Sequence, residues 1–121
     1  MKNIKPTEGE LEILNVIWEK EAATVREVHE VLEKQKSSGY TTTLKLMQIM
    51  YEKDLLHREA SGKTHIYKAA IDKEAVQGQF VQRMIDNVFS GSAAQMVMQA
   101  LGNHRASAEE LDEIRKYLKS L

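Results

Sequence analysis

The sequence predicts a mainly α-helical protein, in which three short helices and a β-hairpin are followed by a second helical segment. Capping boxes predict where three of the helices begin, because each has a Thr or Ser followed three residues later by Glu. These pairs are Thr7 and Glu10, Thr24 and Glu27, and Ser107 and Glu110. The hairpin is predicted by residues 64–67, which are rich in β-formers and follow the turn residues Ser61 and Gly62.

Composition sets the class of protein. The chain has 121 residues, enough for one compact domain or two small ones. It has no apolar run long enough to cross a bilayer and no secretion signal at its start, so we expect a cytoplasmic protein with no membrane partner. The absence of cysteine fits a reducing compartment and excludes thiolate metal sites and disulfides.

Charge is unevenly distributed along the chain. The formal net charge is -1, but the sequence of residues 8–33 is strongly acidic whereas that of residues 34–68 is basic. A protein that is nearly neutral overall can therefore still present a basic face to an anionic partner.

The first two helices follow from their capping boxes. The helix that starts after Thr7 is expected to run to about Lys20, with Trp18 in the core. After a turn of only a few residues, the helix that starts after Thr24 presents a buried stripe. That stripe consists of Val25, Val28, Val31 and Leu32. The short turn requires the two helices to pack at an angle or antiparallel.

The third helix, expected from Thr41 after a polar loop, has two different faces. Its apolar side is predicted to contain Leu44, Leu46, Met47, Met50 and Tyr51. Its other side contains Thr41, Lys45, Gln48 and Glu52. Lys and Gln can read base edges in a DNA major groove, and hydroxyls at a helix start can bind phosphate. The alternative for this stretch alone is an ordinary surface helix on a core.

Three helices followed by a hairpin with a basic tip are the outline of a winged helix-turn-helix. A wing commonly lies along the DNA backbone, so Arg58, Lys63 and His65 are candidate phosphate contacts. The alternative is that these side chains are ordinary solvated charges. We also expect His57 and His65 to lie opposite one another in the hairpin.

From Asp72 onward the sequence is helical, and we place a domain boundary between residues 1–71 and 72–121. The final helix has apolar residues at alternating steps of three and four, as in a coiled-coil seam. A segment this small is marginal alone, so we predict a homodimer. The alternative is a monomer in which these helices fold back onto the N-terminal unit. The predicted dimerisation residues are Phe80, Met84, Val88, Met96, Leu111, Ile114, Leu118 and Leu121.

Catalysis is not predicted. The histidines at positions 29, 57, 65 and 104 are scattered and lack the HExxH spacing. The sequence has no phosphate-cradling Gly loop and no nucleophile elbow. We therefore expect no enzyme activity, no metal and no cofactor.

Several motifs resemble those of the penicillinase and methicillin-resistance repressors, the BlaI/MecI/CopY family, in order and spacing across nearly the whole chain. The N-terminal motifs are residues 7–12, the pair Trp18-Glu19 and residues 24–28. The others are residues 39–50, Glu52-Lys53-x-Leu55, 61–67, 89–92 and 107–111.

The resemblance implies a winged-helix DNA-binding domain and a helical dimerisation domain. It implies a homodimer that binds a palindromic operator in double-stranded DNA and represses transcription of the downstream genes. The third helix is then the recognition helix. Together with the residue-level reading above, this gives a predicted DNA-binding set of Tyr40, Thr41, Thr42, Thr43, Lys45, Gln48, Arg58, Lys63 and His65.

Three positions depart from the family pattern. Asp54 stands where the family usually has the Gly that ends the recognition helix. Ile49 stands where well-known members have Arg, which implies a different operator preference. Those members are inactivated by a regulatory peptidase that cuts an Asn-Phe bond, and the matching residues here are Gln99 and Ala100. The departure puts a peptidase partner of the same kind in doubt.

Two other functions stay open at this point. A winged helix can serve protein contacts without reading DNA, and a regulator can sense a metal or ligand through His and carboxylates. Salt dependence distinguishes a DNA reader from a winged helix used for protein contacts, because DNA binding releases counterions and weakens steeply with salt. Metal-dependent DNA affinity would identify the second.

Overall fold

The computed structural model describes residues 5–103 and 106–121 and confirms the predicted fold class. In the described part of the chain, three helices precede one antiparallel hairpin in the sequence and three helices follow it. The helices are α1 (Glu8–Lys20), α2 (Val25–Leu32), α3 (Tyr40–Glu52), α4 (Lys73–Asn87), α5 (Ala93–Gly102) and α6 (Ala108–Ser120). The strands are β1 (Leu56–Ser61) and β2 (Thr64–Ala69).

All three capping boxes form as predicted. At the start of α1, the Glu10 backbone N–H donates to the Thr7 hydroxyl and the Thr7 N–H donates to the Glu10 carboxylate. The same reciprocal pair starts α2 at Thr24 and α6 at Ser107. The local sequence therefore fixes where these helices begin, because it satisfies donors that have no partner within the helix.

The chain forms two compact units, of which the first reaches Val76 and the second begins at Gln77. The core of the first unit joins α1, α2, α3 and the hairpin. Its fully buried side chains include Ile13, Leu14, Ile17, Val28, Met47, Met50, Leu55, Leu56 and Tyr67. Trp18 is only partly buried at the edge of this core, where its Nε1 donates to the Ile71 carbonyl at 3.2 Å.

The hairpin is attached to the helices through its second strand. The backbone of Ala23, between α1 and α2, makes two hydrogen bonds to that of Tyr67, at 3.0 and 2.8 Å. At the tip, Ser61 pairs with Thr64, and the turn between them begins at Gly62 with φ 64°. A positive φ at that position is what a tight primed turn requires, and Gly adopts it without steric cost.

One expectation about the hairpin was wrong. His57 and His65 do not face each other, because the register pairs His57 with Lys68 and His65 with Ala60. Side chains alternate between the faces of a strand, and this register places the two histidines on opposite faces.

A buried carboxylate connects the beginning of α1 to the end of α3. Glu10 is 2% exposed. Its two oxygens accept from the Lys53 ammonium at 2.9 and 2.8 Å. Burial raises the pKa of Glu10, but the hydrogen bonds from Lys53 and Thr7 and the charge of Lys53 outweigh it and hold this pKa below its ordinary value of 4.5.

Replacing Glu10 by Gln should destabilise the first unit at neutral pH by about 1–3 kcal/mol, because charged hydrogen bonds are lost. A lowered pKa means that the folded state binds its proton less tightly than the unfolded state. The contribution of the pair is therefore present above the ordinary pKa and is lost as the pH falls through the folded-state pKa. Urea denaturation followed by Trp18 fluorescence at pH 7 and at acidic pH would measure both effects.

Glu12→Gln is the matched control for this experiment. Glu12 pairs with Lys36 at 3.0 Å, but both side chains are well exposed. Exposed pairs contribute little, so this variant should stay within about 0.5 kcal/mol of the wild type at either pH. Equal losses for Glu10→Gln and Glu12→Gln would contradict a special role for the buried pair.

Candidate nucleic-acid interface

The outer face of α3, defined here as Thr41, Thr42, Lys45 and Gln48, is exposed along its length. The opposite side of the helix is anchored in the core by Met47 and Met50, both fully buried. This anchoring holds the helix rigidly while its outer side chains stay free. Two hydroxyls, one ammonium and one amide supply hydrogen-bond donors and acceptors of the kinds that bind phosphates and base edges.

Thr43 does not belong to this face. Its side chain is 2% exposed, and its hydroxyl lies 3.1 Å from Nδ1 of His29, itself a buried residue of α2. The sequence prediction grouped Thr43 with its two neighbours, but successive helix residues point in different directions and the third hydroxyl turns inward. We therefore remove Thr43 from the candidate interface.

Thr43→Val should lower the stability of the first unit by about 1 kcal/mol, because Val keeps the shape but leaves the buried His29 nitrogen without its partner. Thr42→Val, at an exposed position, should leave the denaturation midpoint unchanged within about 0.5 kcal/mol. Thermal or urea denaturation of the two variants side by side would measure this. If they are equally stable, the contact between His29 and Thr43 contributes nothing.

Tyr51 was predicted on the apolar side of α3, and this was wrong. Its side chain is 37% exposed. The Arg58 guanidinium, from β1, lies 3.9 Å from the centre of its ring. Helical periodicity could not reveal this contact, because it depends on how the hairpin packs beside α3.

Tyr40 has a similar place at the other end of the helix. It is 38% exposed, and its ring meets the His29 ring edge-on, with centroids 5.6 Å apart. The Arg26 guanidinium, from the first turn of α2, lies 5.1 Å from the Tyr40 ring centre. Arg26 was missed by the sequence analysis because it lies in the acidic part of the chain.

The hairpin places its predicted residues in different positions. Lys63 is exposed in the turn at the tip. His65 is exposed beside the tip, with its ring edge-on to Tyr67 at 6.3 Å. Arg58 is half-buried at the base, next to α3. The structure therefore brings Arg58 to Tyr51 at the end of α3 and leaves Lys63 and His65 further along the hairpin.

The end of α3 explains the departure at Asp54. Asp54 has φ 64°, and the Leu55 N–H donates to the Met50 carbonyl at 2.8 Å. The Asp54 N–H donates to the Tyr51 carbonyl at 3.1 Å. This is a Schellman ending, which needs a left-handed residue where Gly is usual and where Asp is one of the tolerated alternatives.

Residues 6–120 match the sequence profile of the penicillinase repressors. The chain belongs to the penicillinase repressor family. The resemblance inferred from the motifs is thereby confirmed.

Relatives within the penicillinase repressor family match along most of their length. The penicillinase repressor of Staphylococcus aureus is 20% identical over 99% of this chain and 95% of its own. The methicillin resistance regulatory protein MecI of S. aureus (strain N315) is 23% identical, with coverage of 97% and 95%. The transcriptional regulator BlaI of Mycobacterium tuberculosis is 29% identical, with coverage of 93% and 83%.

The fold also matches solved structures. A mutant of MarR from E. coli, complexed with operator DNA, superposes with a TM-score of 0.56. It is 16% identical, and the match covers 98% of this chain and 75% of MarR. At this identity the likeness concerns the fold alone.

The second unit of this penicillinase repressor family member exposes apolar side chains. No side chain in its described part, residues 77–103 and 106–121, is fully buried. Of the predicted dimerisation residues, Phe80, Met96, Leu111 and Ile114 are half-buried. The others are more open, with Met84 48%, Val88 66%, Leu118 61% and Leu121 83% exposed.

Among the described residues, no group of three or more His, Cys, Asp or Glu could hold a metal ion, and no helix is long and apolar enough to span a membrane. His104 lies outside the described residues. Gln99 and Ala100, at the position matching the cleavage site, are exposed within α5.

Proposed function

We propose that this chain is a sequence-specific DNA-binding transcriptional repressor that acts as a homodimer on a palindromic operator. The observation that carries the proposal is the exposed polar outer face of α3 beside a basic hairpin, in a member of the penicillinase repressor family. Relatives of nearly the same length are named as repressors and regulators, and a structure of the same fold is bound to operator DNA.

In the proposed complex, α3 enters the major groove of each half-site. Lys45 and Gln48 contact base edges there, because their amine and amide groups can reach donors and acceptors that distinguish base pairs. Phosphates are bound by the remaining predicted residues. These are Tyr40, Thr41, Thr42, Arg58, Lys63 and His65.

Residues 72–121 form the proposed dimerisation domain, and residues 1–71 the DNA-binding domain. The second unit, which begins at Gln77, has no fully buried side chain among its described residues, so it lacks a core of its own. A second copy covers its exposed apolar residues. A dimer then presents one α3 to each half-site, which is the symmetry that a palindrome requires.

Binding to the DNA upstream of the protein's own gene, titrated across salt concentrations against unrelated competitor DNA, tests this function. We expect saturable binding that resists the competitor and weakens steeply with salt, because each phosphate contact releases counterions. Weak and equal binding to both DNAs would overturn the proposal and direct attention to protein partners. Binding that appears only with an added metal or ligand would show a co-ligand-dependent regulator.

A further inference from the structure

The two ends of α3 repeat the same arrangement. At its start, Arg26 from α2 lies over the ring of Tyr40, with 5.1 Å between the guanidinium carbon and the ring centre. At its end, Arg58 from β1 lies over the ring of Tyr51 at 3.9 Å. In each pair the tyrosine belongs to α3 and the arginine to a neighbouring element of the same unit.

Helix geometry places the two pairs in line. Tyr40 and Tyr51 are eleven residues apart, which is about three full turns, so their side chains leave α3 on nearly the same side. At a rise of about 1.5 Å per residue, they are separated by roughly 16 Å along the helix axis. Both lie at the border between the buried side of the helix and its outer face, where each ring is a little over a third exposed.

Neither guanidinium is neutralised by another described residue. Within residues 5–103 and 106–121, Arg26 and Arg58 form no ion pair and donate no side-chain hydrogen bond. A ring contact engages the charge of a guanidinium and leaves its N–H groups free, and those groups match the oxygens of a phosphate. The ring also restricts where a long, flexible side chain can go, so fewer conformations are lost on binding.

We propose that Arg26 is a further DNA-contacting residue and that Tyr40 and Tyr51 are positioning residues, so that two arginine–tyrosine pairs bind backbone phosphates at the two ends of the outer face of α3. The inference rests on the proposed function and deepens it. It brings a cation from the acidic part of the sequence to the DNA. It also gives Tyr51 a role that neither the motifs nor helical periodicity assigned to it.

Salt dependence of binding tests the arginines. On one operator duplex, Arg26→Gln and Arg58→Gln should each weaken binding and make the dependence of log Kd on log salt shallower by about 1 for each arginine of the dimer. Lys34→Gln is the matched control, because it removes an exposed cation beyond the far end of α2 that lies over no ring of the described residues. An unchanged slope for Arg26→Gln, or an equal change for Lys34→Gln, would overturn the assignment of Arg26.

A double-mutant cycle tests the tyrosines. Tyr51→Leu should weaken binding several-fold, whereas Tyr51→Phe, which keeps the ring, should bind like the wild type. In the Arg58→Gln background Tyr51→Leu should have no further effect, because the ring acts through the arginine. Tyr40→Leu should likewise have a smaller effect in the Arg26→Gln background than in the wild type. Tyr40→Phe does not serve as its control, because the Tyr40 hydroxyl is itself a proposed phosphate contact. Additive losses, or a Phe variant as weak as the Leu variant, would overturn the positioning role.

The same titrations separate this inference from the proposed function. If the wild type binds its operator specifically and Lys45→Ala weakens that binding, the proposed function holds. If Arg26→Gln then binds with wild-type affinity and salt dependence, only the inference about Arg26 is refuted. If the wild type shows no salt-dependent preference for the operator, the proposed function and this inference fall together.

Discussion

Replacing Leu118 by Asp is expected to convert the protein from dimer to monomer. Leu118 is 61% exposed in the single chain and lies on α6 in line with Leu111, Ile114 and Leu121. In the proposed dimer it is buried against the second copy. A carboxylate buried there without a partner costs several kcal/mol, more than one apolar contact contributes.

The loss of the dimer should be visible in two measurements. Sedimentation velocity should show a monomer at concentrations where the wild type is dimeric. Affinity for a palindromic duplex should fall by about 100-fold or more, because the second half-site no longer binds as part of the same molecule. Affinity for a single half-site should change little, since the first unit is untouched.

Lys119→Asp is the control for this variant. It introduces the same carboxylate at the next position of α6, where the side chain is exposed and polar. It should remain a dimer with nearly wild-type operator affinity. A Leu118→Asp protein that sediments as a dimer would refute the proposed seam.

Local signals in the sequence were sufficient to place the starts of three helices and the turn of the hairpin. Each capping box at Thr7, Thr24 and Ser107 satisfies backbone donors within four residues, so its effect does not depend on the rest of the fold. The turn at Gly62 is equally local. These features could therefore be predicted from neighbouring residues alone.

Contacts between distant residues could not be predicted in this way. The hydrogen bonds from Lys53 to Glu10 join residues 43 positions apart. The burial of Thr43 against His29, and the exposure of Tyr51 beneath Arg58, both depend on which element packs beside α3. A helical period shows that a helix has two faces, but the neighbouring elements decide where the border between those faces lies.

The residues of the candidate interface also divide into those that the local sequence predicts and those that it does not. The polar side of α3 was predicted to contain Thr41, Lys45, Gln48 and Glu52, and the structure exposes all four. The composition of α3 was informative there because most of its polar residues occur on one side. Arg26 gave no such signal, since its role depends on its position over Tyr40 rather than on its neighbours in the sequence.

Lys45→Ala should produce the largest loss of operator affinity among single changes on the outer face of α3. Lys45 is the one cation of that face, at the second turn of the helix, and it is exposed. A side chain that contacts a base edge contributes about 1–3 kcal/mol of discrimination. In a dimer the residue occurs twice, so the effect on a palindromic operator is about twice that on one half-site.

The kind of loss identifies what Lys45 contacts. Selection of binding sites from a pool with randomised half-site positions should show a wild-type preference at one position that Lys45→Ala relaxes. Lys63→Ala, at the tip of the hairpin, provides the comparison: it should weaken binding to all sequences alike and make the salt dependence shallower. If Lys45→Ala instead behaves like Lys63→Ala, Lys45 binds the backbone. Sequence reading then depends on Gln48 and its neighbours, and the Ile at position 49, exposed on the same helix, becomes the next residue to exchange.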